Sequence, residues 1–181
     1  MGSLELIIGP MYAGKTNKII EIYNELINTT NVLVIDYIEE NIIETGKITS
    51  HDNLKIDCLK TNKLENIKLH LKEKYDDYKH IIVNEAQFFQ NLKDWVLNIL
   101  EIENNNITLC GLDADFNRSK FGEIWDLIPH ADSVIKLKGK CNYCDNKSLY
   151  SHRINNKLSQ QVILDCTLYL PLCRLCYLKY N

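Results

Sequence analysis

A chain of 181 residues that is 45% hydrophobic can bury one substantial core and carry a small appendage besides. A formal net charge of −3 argues against the broad cationic face that polymeric nucleic acid demands, and no run of about eighteen apolar residues offers a membrane span. The N-terminal stretch MGSLELIIGP has no basic segment ahead of a signal-type apolar run, so the seven cysteines read as thiols of a reducing, cytoplasmic setting.

The first element is the apolar strand LELII (4–8), which runs directly into GPMYAGKT, Gly9 to Thr16. A helix is expected over 15–28, where Ile19, Ile20, Tyr23, Leu26 and Ile27 recur at helical spacing. VLVID (32–36), HIIVN (80–84), ITLCGL (107–112) and SVIKL (133–137) are near-continuous aliphatic runs, the pattern of parallel strands covered on both faces. LENIKLHLKEKY (64–75) and LKDWVLNILEIE (92–103) supply covering helices, while 39–63 is weakly patterned and reads as loop with one strand around LKIDCL. The order predicts an α/β fold, a parallel sheet with helices on both faces, over residues 1–138. From Gly139 to residue 181 the pattern changes to cysteine pairs and mixed polar segments, which predicts a small metal-stapled unit.

Gly9-Pro10-Met11-Tyr12-Ala13-Gly14-Lys15-Thr16 matches G-x-x-x-x-G-K-[ST] in full, between strand and helix as that motif requires. Glycines let backbone N–H groups turn inward around phosphate oxygens, the helix N-terminus adds its positive dipole end, Lys15 brings a point charge, and the Thr16 hydroxyl suits Mg²⁺. The expected ligand is a nucleoside triphosphate. In IIVNEAQFF (81–89) an acid, Glu85, follows a core strand at the end where α/β sheets bind ligands. There it can accept a proton from a hydroxyl attacking the γ-phosphate, or stand as a solvated acid at a strand end. LDADFNRSKFG (112–122) sets Phe116 and Phe121 after another core strand, either as stacking surfaces for a flat ligand or as two core phenylalanines.

Cys141-x-x-Cys144 and Cys173-x-x-Cys176 stand 28 residues apart. Four thiolates make a closed structural Zn²⁺ site, and the same set can hold an iron–sulfur cluster. Cys58 and Cys110 read as buried thiols.

GPMYAGKT, NEAQFF, LDADFNRSKFG and the terminal PLCRLCY, in this order over this length, resemble the type II thymidine kinase family, the zinc-containing kinases of cells and viruses. The resemblance covers essentially the whole chain. It implies a RecA-like P-loop domain with a C-terminal zinc-ribbon or lasso domain, a homotetramer, and phosphorylation of thymidine by ATP with Mg²⁺. It implies that Glu85 is the general base, that Lys15 and Thr16 contact ATP and magnesium, and that Met11, Phe88, Leu112, Phe116 and Phe121 line the thymine pocket. Val162, Ile163, Leu164, Asp165 and Cys166 align with the substrate-binding lasso backbone, and Tyr169 with the aromatic that follows. Ser50-His51-Asp52 is similar to a family triplet and takes a structural role.

The chain also departs from the family pattern. Asn84 stands where a magnesium-associated Asp precedes the catalytic Glu, and Ile42 where an Arg follows an acid matched here by Glu40. Ile163-Leu164-Asp165 replaces Ile-Gly-Gly. The alternatives that follow are a nucleotide-binding homologue with reduced or lost turnover, and a kinase for deoxyuridine or deoxycytidine.

Overall fold

Strand β1 (Leu4–Gly9) buries Leu6 and Ile8 on one side and Ile7 on the other, which only an interior strand covered on both faces can do. The computed structural model, which describes residues 2–50, 52–154 and 166–180, has that arrangement. β2 (Val32–Tyr37), β5 (His80–Val83), β6 (Asn106–Leu112) and β7 (Ser133–Lys136) join β1 in parallel, and β4 (Lys55–Thr61) pairs parallel with β2. With β3 (Ile43–Thr49) at one edge, the sheet has seven strands in the order β3-β4-β2-β5-β6-β1-β7.

Helix α1 (Lys15–Leu26) packs Ile19 and Ile20 against Ile7, Val34 and Ile82 on one face. On the other face, α2 (Asn66–Leu71) and α3 (Leu92–Asn98) bring Ile67, Leu92 and Val96 against Leu6, Leu33, Ile81 and Leu109. The expected sandwich of helices on both faces is present.

The stretch 39–63 differs from its reading as loop with one strand. It forms a hairpin in which β3 (Ile43–Thr49) runs antiparallel to β4 over seven residue pairs. β3 is an edge strand, IETGKIT, in which only Ile48 is buried, so it carries almost no apolar alternation for the sequence to reveal. Lys47 and Asp57, directly opposite, form an ion pair at 3.1 Å on its exposed side. Ser50 organises the turn: its hydroxyl accepts the backbone N–H groups of Asp52 and Leu54, each at 3.2 Å. His51 lies outside the described residues.

The second helical pattern also breaks early. α2 stops at Leu71, Lys72 takes a left-handed φ of +54°, and a tight 3-10 turn (Lys72–Asp77) swings Tyr75 into the core. α3 ends in a wider turn over Ile99–Glu103.

Beyond Gly139 the chain forms its own small cluster. β8 (Tyr150–Arg153) pairs antiparallel with β9 (Tyr169–Leu172), followed by α4 (Arg174–Tyr180). Cys141, Leu172, Cys173 and Tyr177 form its buried centre, separate from the two cores flanking the large sheet.

Candidate active site

The loops leaving the C-terminal ends of β1, β2, β5 and β6 converge on one cavity of about 490 Å³. This is the edge of an α/β sheet at which ligands bind, because crossover connections leave a crevice there. The β1 loop contributes Met11 through Asn17, and Gly14 caps α1 in a left-handed conformation (φ +83°). A side chain there would be strained, and the turn aims the first N–H groups of α1 toward the cavity. Lys15 is 9% exposed, and its Nζ donates to the Pro10 carbonyl at 2.9 Å.

Glu85 follows β5 with a φ of +52°, an uncommon conformation for a residue other than glycine. Backbone strain of this kind persists where the surroundings over-determine it, and here Gln87 is the holder. The buried Gln87 amide donates to Glu85 Oε2 at 2.6 Å, while its carbonyl oxygen accepts the Leu112 backbone N–H at 2.9 Å. The carboxylate is thereby tied to the end of β6, across the cavity floor.

Aromatic rings form one wall. Phe88 lies 4.9 Å from Tyr37 and 5.4 Å, edge to face, from Phe121, and Phe116 extends the surface. The C-terminal unit closes the cavity with Ser151 and Tyr169. Ser151 Oγ accepts the Met11 backbone N–H at 2.9 Å, which fastens that unit to the glycine-rich loop.

Asn84 is buried and is not among the cavity-lining residues. Its side-chain amide donates at 2.8 Å to Asp36, at the tip of the neighbouring strand β2. Burial raises the Asp36 pKa above the ordinary carboxylate value and the nearby Glu85 charge adds to that, while the Asn84 hydrogen bond and Lys60, 3.9 Å away, oppose it.

At the opposite end of the C-terminal unit, the sulfurs of Cys141, Cys144, Cys173 and Cys176 all lie within 4.8 Å of one another. Cys144 Sγ is 3.6 Å from both Cys173 Sγ and Cys176 Sγ. Four thiolates at about 2.3 Å from a tetrahedral Zn²⁺ stand about 3.8 Å apart, so the cluster has the dimensions of such a site. The Cys176 backbone N–H approaches Cys173 Sγ at 3.5 Å and holds that thiol below its ordinary pKa, which favours the thiolate a metal needs. Cys58 and Cys110 are buried in the main core, where burial pushes their thiols up to about 11 and about 12.

The family model for thymidine kinase matches residues 2–177. The chain belongs to the thymidine kinase family. It is 34% identical over 190 residues to the thymidine kinase of Choristoneura fumiferana entomopoxvirus, covering 99% of this chain and 98% of the viral one. It is 32% identical to the thymidine kinase of Mycoplasma mobile, covering 98% of this chain and 88% of that protein. The thymidine kinase of rice is also 32% identical over 98% of this chain, which spans 66% of the rice protein.

Of the residues expected from sequence to meet ligands, Met11 to Thr16, Glu85, Phe88, Leu112, Phe116, Phe121 and Tyr169 line this one cavity, whereas Gly9, Pro10 and Asn84 do not. Glu40 lines it, while Ile42 is 45% exposed and does not. Val162, Ile163, Leu164 and Asp165, and the side chain of Cys166, lie outside the described residues. Sequence reasoning missed Tyr37, Ser151, Gln87 and Asp36. Gln87 had a readable signal, a polar residue two places after the strand-end acid, whereas Ser151 had none.

Proposed function

We propose that this chain is an ATP-dependent thymidine kinase, transferring the γ-phosphoryl group of ATP to the 5′-hydroxyl of thymidine to give thymidine monophosphate. The observation that carries this reading is that a glycine-rich loop with its lysine, a tethered strand-end carboxylate and an aromatic wall share one cavity. Phosphoryl transfer needs those three parts: a grip on the phosphates, a base beside the attacking hydroxyl, and a surface that positions the acceptor.

In the proposed reaction the loop N–H groups and Lys15 hold the phosphates, with Lys15 Nζ exchanging the Pro10 carbonyl for a phosphate oxygen. Glu85 accepts the 5′-hydroxyl proton as the new oxygen–phosphorus bond forms and the bond to the β-phosphate oxygen breaks, releasing ADP. Met11, Phe88, Leu112, Phe116, Phe121 and Tyr169 enclose the base. The Thr16 hydroxyl is an oxygen donor of the type Mg²⁺ takes, and the ion supplies neutralisation of charge on the transferring group. The four cysteines hold a structural Zn²⁺ with no open position.

The chain is further proposed to comprise two units, 1–138 and 139–181, to work in the cytoplasm, and to assemble as a homotetramer, as its family resemblance implies. Among the described residues no helix is long and apolar enough to cross a membrane. A phosphoryl-transfer assay of the purified chain across the deoxynucleosides, with ATP and varied Mg²⁺, tests the central proposal. Thymidine should be the preferred acceptor. Absence of turnover with every acceptor, alongside retained ATP binding, would make the chain a nucleotide-binding protein instead.

A further inference from the structure

Phe116 lines the cavity, yet it is gripped by side chains that do not. Arg153, on β8 and 2% exposed, sets its guanidinium carbon 3.6 Å from the centroid of the Phe116 ring. From α4, Tyr177 donates its hydroxyl to the Phe116 backbone carbonyl at 2.6 Å. Tyr177 is itself 1% exposed, 5.0 Å from the Tyr150 ring, with Arg118 4.8 Å over its own ring. One residue of the cavity wall is therefore fixed twice by the C-terminal unit, at its ring face and at its backbone.

We infer that Arg153 and Tyr177 are positioning residues for base recognition, fixing the plane of Phe116 against which the nucleobase lies. The inference deepens the kinase reading of the cavity and rests on it. A buried guanidinium is costly to desolvate, and the negative face of an aromatic ring offsets part of that cost, so the pair holds a definite geometry. At 3.6 Å the two planar groups are in contact, and the ring cannot tilt toward the arginine. Lysine would keep the charge but lose the plane. The Asp115 carboxylate fixes the rest of the loop by accepting the backbone N–H groups of Asn117 and Ser119 at 2.9 and 2.8 Å, which leaves the Tyr177 bond to hold the carbonyl of Phe116. A ring displaced by a fraction of an ångström loses stacking on the base, while the phosphate loop, built between β1 and α1, keeps its own geometry.

Kinetics and fluorine NMR test this together. Arg153→Met should raise the thymidine KM about tenfold, the scale of one stacking contact, and leave the ATP KM within about twofold. Arg153→Lys should not rescue it, and Tyr177→Phe should move thymidine KM in the same direction by a smaller factor. In a Phe116→Ala background Arg153→Met should add nothing, because the ring through which it acts is gone. The chain contains four phenylalanines, so 4-fluorophenylalanine labelling gives four resonances, and Phe116→Leu identifies one of them. Arg153→Met should move that resonance most, in the absence of any substrate. An unmoved Phe116 resonance overturns the inference, as does an equal loss of thymidine affinity with and without the Phe116 ring. A parent chain that binds no thymidine sinks the kinase reading instead, and the fluorine spectrum still decides whether Arg153 sets the ring.

Discussion

Asn84 and Asp36 form a single polar unit across the tips of β5 and β2, 48 positions apart in the chain, with Asn84 the donor. On the sequence alone Asn84 is a missing carboxylate. In the fold a carboxylate stands on the adjacent strand, and Asn84→Asp would set a second acid against Asp36, whose pKa burial already raises. The single change should therefore destabilise the chain, by about 1–3 kcal/mol, as expected for a broken buried hydrogen bond with like charge added. The exchange Asp36→Asn with Asn84→Asp should recover most of that loss. Thermal unfolding of the parent, the single variant and the double exchange checks it; an Asn84→Asp chain as stable as the parent would show that the pair is unimportant. Glu85 was legible as a strand-end acid and Gln87 as a polar residue two places on, but the holding role of Gln87 was not, because the second bond runs to Leu112 on another strand. Glu85→Gln should lower turnover by about 10²–10⁴ while ATP affinity is retained, and initial rates set beside titration calorimetry would separate the two.

At the scale of elements, five of the seven sheet strands were legible as aliphatic runs: β1, β2, β5 and β6 because interior parallel strands are buried on both faces, and β7 by its short β-branched run although it is a largely exposed edge strand. β3 was not, since an exposed edge strand is specified by its ladder to β4 rather than by its own side chains. α2 was overextended for a related reason: its apolar spacing continues through Tyr75, but that ring reaches the core by way of a 3-10 turn. One strand residue carries a pH dependence. His80 on β5 shares a 2.8 Å hydrogen bond with Thr108, and burial lowers its pKa below the ordinary 6.5. The unfolded chain then binds that proton more readily than the folded one. The contribution of neutral His80 is complete above 6.5 and is lost as pH falls below it, down to the folded value. His80→Gln should flatten the loss of stability between about pH 7 and pH 5, read as a shrinking gap in melting temperature between parent and variant. A gap that stays constant across that range would assign the acid sensitivity elsewhere.

For the whole molecule, the arrangement of the two units around the cavity is what the sequence could not convey. The cysteine pairs announced the small C-terminal cluster, but among the described residues its contacts with the rest include Ser151 to Met11, Arg153 to Phe116 and Tyr177 to Phe116, none of which follows a motif. The small cluster around Leu172 and Tyr177 is slight beside the two cores of the large sheet, and a unit of this size depends on its staple. A structural zinc contributes folding free energy outright, so its removal should loosen the C-terminal unit before the sheet. Since the phosphate loop belongs to the sheet and Tyr169 and the grip on Phe116 belong to the C-terminal unit, metal removal should weaken thymidine binding well before ATP binding. Cys176→Ser should act in the same direction. Calorimetric scans with and without chelator, paired with titrations of each ligand, measure both effects: the expected outcome is a new low-temperature transition accompanied by selective loss of thymidine. One unchanged transition after verified metal removal, with both affinities intact, would show that the four cysteines neither stabilise the unit nor support the cavity.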